Sequence, residues 1–257
     1  MNAELYQIAA IVAAGKKAVL TSEKIAYRQQ PFEQSIRFDF LPKKVLFGTK
    51  TYTAPDVSAW FEESRKKGLQ DLILLCPASA DDRNLLGFAN ASQNAILCLY
   101  KNGKASYFTP VWKFDEKTNQ WDTLYTEKEW TEAIPEKPRF SDNSAAFGTV
   151  LFSVQDLAVK LECENFAKVF ATALGLLEGK SDQPDGPRPL ALPELPEKNR
   201  LLFEAAGTAD VFGGMGSWND APACWAEQKG LENEYKEISD ELLKNVRGAI
   251  LYAINEW

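Results

Sequence analysis

A chain of 257 residues that is 45% hydrophobic and 25% charged can bury one large core or two modest ones, and its balance argues against disorder. Its net charge of −7, with Lys-Lys pairs only at 16, 43 and 66 that read as isolated solvated faces, argues against nucleic acid and suits a basic protein partner. The sequence holds no histidine, which removes imidazole bases, His-bearing metal sites and the Ser-His-Asp and Cys-His catalytic sets.

Residues 5–14 form an apolar run behind Glu4, too short and too acidic at its start for a secretory signal, and predict a first helix. No run approaches the roughly 20 apolar residues that span a bilayer, so no membrane association is expected. At 35–40 apolar side chains fall on every second residue, which predicts a strand with one buried face, and 45–47 reads as a short strand. Thr53 as a cap, Pro55 in the first turn, Val57, Trp60 and Phe61 at helical spacing, and Gly68 as a stop predict a helix. The run 71–76, apolar after its first residue, predicts a strand buried on both faces.

Strand-like runs at 95–100 and 105–109 are joined through Asn102-Gly103, a tight-turn pair, and predict a hairpin. Runs at 111–114 and 121–125 flank 116–120 as a second hairpin, giving an antiparallel meander. Trp112, Trp121, Trp130, Tyr107, Phe108 and Tyr125 make this meander aromatic; they alternate with polar residues as a sheet core does, and a stacking platform is the other reading. The spacing Thr126-Glu127-Lys128-Glu129 ahead of Trp130 and Ile134 predicts a short capped helix that closes the meander.

From Glu164, the residues Phe166, Val169, Phe170, Ala173, Leu174 and Leu177 form a helical stripe that Gly179 stops. Residues 175–181 imitate a phosphate-binding loop, but they end a helix instead of opening one after a strand. Prolines at 184, 187, 189, 193 and 196 make 181–198 an irregular connector or surface strap. A helix is predicted over 200–210, and an amphipathic one from Leu231 to the end of the chain. The four cysteines lack C-x-x-C spacing and predict free thiols in a reducing cytoplasm; Cys224, in loop-like sequence, is the one candidate for reactivity.

The run 210–220 is the richest in chemistry. Gly213, Gly214 and Gly216 imply positive φ angles or a close backbone approach. Their N–H groups, with Ser217 and Asn219, can form an anion nest. Alternatively, Asp210, Asp220, the Asn219 amide and loop carbonyls can surround a hard cation such as Mg²⁺ or Ca²⁺, although the spacing matches no EF-hand. In a purely structural reading, Phe212, Met215 and Trp218 plug the core and an aspartate caps a helix.

Together these elements predict an α+β fold. Residues 1–150 form an α/β layer with the antiparallel meander, and 151–257 a helical third packed on it as one continuous unit. With no complete catalytic set, the functional expectation is a cytoplasmic, non-catalytic binding or protein-interaction protein. The alternative is a small-molecule binder or enzyme that uses the carboxylates of the glycine loop, with or without a metal ion. Catalytic residues and any cofactor stay unassigned.

Overall fold

A computed structural model describes residues 2–257 apart from 46–47, 80–82, 84–85, 87–88, 92, 132–136, 181–190 and 192. The chain runs α1 (Ala3–Thr21), β1 (Glu33–Val45), β2 (Gly48–Ala54), α2 (Val57–Lys66), β3 (Leu69–Leu75), β4 (Ala95–Tyr100), β5 (Ala105–Asp115), β6 (Gln120–Glu129), α3 (Ser144–Lys160), α4 (Glu164–Leu177), α5 (Glu197–Ala209), α6 (Ala221–Gln228) and α7 (Glu232–Asn255). The architecture is α+β. One mixed sheet has the order β2-β1-β6-β5-β4-β3, antiparallel except where β1 lies parallel to β6 with Phe38 opposite Tyr125.

Alternation decides which side chains reach the core. Phe38, Phe40, Leu72, Leu74, Ile96, Phe108 and Tyr125 join the main core, while Ile73, Leu97 and Ala105, between them in sequence, form a small cluster on the opposite face. On the main face Phe38 stacks between Trp60 of α2 and Tyr125, each at 4.7 Å between ring centres. Helices α1 and α7 pack on β3, and α7 also contacts α3 and α5, so one core runs from the sheet into the helical part. Among the described residues no helix is long and apolar enough to cross a membrane.

Several elements differ from expectation. The cap of α2 is Asp56, whose Oδ1 accepts the Ala59 N–H at 2.7 Å, and Thr53 sits in β2 opposite Asp39. The runs 105–109 and 111–114 are one strand, β5. Pro110 is tolerated there because the pairing of β4 with β5 stops at Phe108, so no neighbour on that side needs its missing N–H. The expected helix from Thr126 is strand instead, since Thr126 pairs with both Asp39 and Thr109; Ile134 lies outside the described residues. Of the run 45–47, Val45 ends β1 and the other two lie outside the described residues.

Helix α3 was not expected, and the helical part starts at Ser144 instead of after 150. Its joint with α4 closes through Glu162 at φ +60°, with the Cys163 N–H on the Ala158 carbonyl (2.8 Å). Gly179 stops α4 as expected: its N–H donates to Leu176 and that of Lys180 to Gly175, the paired bonds of a left-handed cap. Cys224 stands exposed on α6, a helix instead of the expected loop, and Cys98 and Cys163 are buried free thiols. Of the five prolines, Pro193 and Pro196 precede α5 and the other three lie outside the described residues.

Candidate functional site

The glycine loop leaves α5 and enters α6, held by bonds among its own groups. Trp218 anchors it: fully buried, it meets Phe166 at 5.2 Å, Phe170 at 5.3 Å and Tyr235 at 5.5 Å between ring centres. Its Nε1 donates to Ser239 Oγ (2.8 Å), and its carbonyl accepts the Tyr235 hydroxyl (2.6 Å). The Gly213 carbonyl accepts the Ser217 hydroxyl (2.9 Å) and the Asn219 amide (3.4 Å). Of the three glycines only Gly216 takes a positive φ, +79°, and its N–H donates to Asp220 (2.8 Å). Gly214 and Met215 are exposed, Met215 at 98%.

The two loop carboxylates take different roles. Asp210 follows α5 and is buried against the buried Arg247 of α7 at 3.6 Å, whereas Asp220 is exposed. Gly213, Ser217 and Asn219 thus meet around one carbonyl, Gly216 meets Asp220, and Asp210 faces the core. Among the described residues no group of three or more Cys, Asp or Glu side chains is placed to hold a metal ion.

A concave site lies elsewhere, along α1. Tyr6, Ala10, Ala14 and Ala18 repeat every four residues on one side of the helix, and the short alanine side chains leave a slot of about 230 Å³. The irregular segment that carries Tyr27 and Gln30 forms the facing wall, and residues 191, 193 and 194 complete it. An ion pair from Lys17 to Glu194 and a bond from the Ala191 N–H to Gln30 Oε1 (3.3 Å) tie that last segment down.

Behind the floor of the slot sits Glu33, at the start of β1 and 2% exposed. Its Oε1 accepts Gln7 Nε2 (2.8 Å) and the Tyr27 hydroxyl (2.8 Å), and its Oε2 accepts the Gln30 N–H (2.7 Å). Gln7 in turn accepts the Tyr125 hydroxyl at 2.8 Å. Every donor is neutral, and among the described residues no cation pairs with Glu33. Burial pushes its carboxyl above the usual range, against the opposing pull of those hydrogen bonds. The Tyr27 phenol is raised by burial and then by the Glu33 charge; Tyr6, 3% exposed, is pushed up to about 12 by the same two causes. No described residue hydrogen-bonds the Tyr6 hydroxyl. Glu4, 6% exposed, is pushed up to about 7 by burial, although the Asn90 backbone and the Asn94 side chain favour its charged form.

None of Glu4, Tyr6, Gln7, Tyr27 or Glu33 stands out as a motif in the sequence. The one available signal is that Glu4 and Gln7 interrupt an apolar helix with polar groups that must be satisfied inside. Comparison with family models, with curated proteins and with solved structures found no match.

Proposed function

We propose that this protein binds a small molecule, without transforming it, in the slot along α1. The observation that carries the reading is Tyr6: a phenol 3% exposed, on the floor of a cavity, whose hydroxyl has no protein partner among the described residues. A hydroxyl at a cavity wall that makes no protein hydrogen bond keeps both its donor and its acceptor capacity for a ligand. Glu33 supports binding over catalysis, because donors already occupy both of its oxygens. The glycine loop does not enter this reading, since Gly216, Ser217 and Asp220 are engaged within the loop.

Native mass spectrometry of gently purified protein tests it. A small added mass is expected on the native chain and is expected to be lost from Ala14→Leu, which fills the slot; circular dichroism checks that the variant folds. A specific observation favours a second reading, interaction with a protein partner through an apolar face. Helix α3 leaves Phe152 67% and Val159 60% exposed, beside an open groove floored by Gly148, Leu174 and Leu177. A protein-sized mass that disappears with Phe152→Glu would favour that reading, and bare chain alone would count against both.

A further inference from the structure

We propose that the slot along α1 selects an organic ammonium group on a short aliphatic stem, with the ammonium seated at Tyr6 and Tyr27 and the stem along Ala10, Ala14 and Ala18. The inference rests on the reading of the slot as a ligand site. Three neutral donors converge on Glu33, the pattern of an ionised carboxylate, and among the described residues no cation answers it. A buried charge held only by neutral groups leaves a negative potential that water does not screen. Tyr6 and Tyr27, which line the slot, stand within that potential: the Glu33 charge opposes ionisation of both phenols. The sign that resists a phenolate welcomes a cation.

The side chains suit an ammonium in chemistry as well as in charge. A tyrosine supplies a π-face that attracts a cation and a hydroxyl oxygen that accepts from N–H, and the Tyr6 hydroxyl is uncommitted. The alanine wall offers a stem apolar contact and no hydrogen bonds. The basic groups at the slot do not reverse this preference. Lys17 is paired with Glu194, and Lys24 and Arg28 are exposed, where water and salt screen them. Lys17 also stands eleven residues beyond Tyr6 on α1, about 16 Å along the helix axis.

Calorimetric titration with three probes of one shape, pentylammonium, pentan-1-ol and pentanoate, separates charge from size. Pentylammonium is expected to bind at least tenfold more tightly than the alcohol, and pentanoate not at all. Tyr6→Phe, which removes only the uncommitted hydroxyl, should weaken the ammonium severalfold, and Ala14→Leu should abolish binding, with Ala10→Leu as a second block if the first does not fold. Equal affinity for the three probes, or a preference for pentanoate, that is lost in the blocked slot would overturn the ammonium inference and leave the ligand site standing. Failure of all three to bind, or binding that neither blocking variant affects, would overturn both.

Discussion

The carboxamide of Asn255 stands in for a missing strand. At the edge strand β3 its Oδ1 accepts the Leu74 N–H (2.8 Å) and its Nδ2 donates to the Leu74 carbonyl (3.0 Å), with the side chain 1% exposed. Asn90 makes the same pair of bonds to Trp112, at 2.7 and 3.0 Å, where β5 has run past the end of β4. Substituting Asn255 by Leu strands two buried backbone groups, each costing about 1–3 kcal/mol. Urea unfolding should therefore show a loss of roughly 2–5 kcal/mol; a loss under about 1 kcal/mol would mean that water or a backbone shift replaces the amide. The same logic of long-range pairing explains why the residue chemistry was hard to read. Asp210 meets Arg247 of a different helix, and the Gln7–Glu33–Tyr27 network joins a helix, a strand and the segment between them. Spacing along the chain carries no trace of such meetings, and the carboxylates that stood out in sequence, at 210 and 220, do not line the slot.

Two helical glycines make a controlled pair at the scale of elements. A Cβ on Gly15 of α1 would fall 2.2 Å from Cδ1 of the fully buried Leu72, so the glycine is what lets the helix lie down on β3. On Gly148 of α3 it would meet Leu177 Cδ2 at 3.5 Å, an ordinary contact. Gly148→Ala should accordingly stabilise by about 0.5–1 kcal/mol through helix propensity. Gly15→Ala should destabilise by about 1–3 kcal/mol despite the same gain, because the core has no space to give. Thermal unfolding of the two variants should shift in opposite directions, and shifts of the same sign would refute the packing argument.

The legible elements were those whose pattern matched their environment: the two-residue period of β1, the Asn-Gly turn between β4 and β5, and the apolar stripes of α4 and α7. Strand β2 was not legible because six of its seven residues are exposed and it carries no buried period. Helix α3 was obscured by Gly148 and the β-branched Thr149, Val150 and Val154, which favour strand in isolation and are overruled by packing on α4 and α7. At 126–129 a good capping pattern lost to ladders on both sides, one of them with β1, far away in sequence.

For the whole molecule, the buried acids set the pH response. In the folded protein Glu4 titrates near 7 against 4.5 for an unperturbed glutamate, so the native state holds the proton more tightly than the unfolded chain. The stabilisation tied to that proton is complete below pH 4.5 and is lost as the pH rises to about 7, an effect of roughly 3 kcal/mol that Glu33 reinforces in direction. Asp142, held down to about 2 mainly by Lys198, acts in the opposite sense and only below the usual aspartate value of 3.8. The urea midpoint should therefore fall between pH 5 and pH 8, and Glu4→Gln should flatten the slope. A midpoint that rises over this range, or a Gln variant with the native slope, would show that Glu4 does not control it.

The parallel alignment of β1 with β6 has a consequence for the chain as it is made. Strand β1 leaves the ribosome early, yet its inner edge has no neighbour until Tyr125 is available to lie beside Phe38, and the Leu74 backbone groups at the edge of β3 have no partner until Asn255 arrives. The neighbours β4, β5 and β6 can meanwhile zip together from local turns. A nascent chain thus carries the β1–β2 hairpin with its inner edge unpaired while the rest of the sheet is half built. The seconds of greatest danger for this protein are those of its own synthesis, and chaperone protection belongs there.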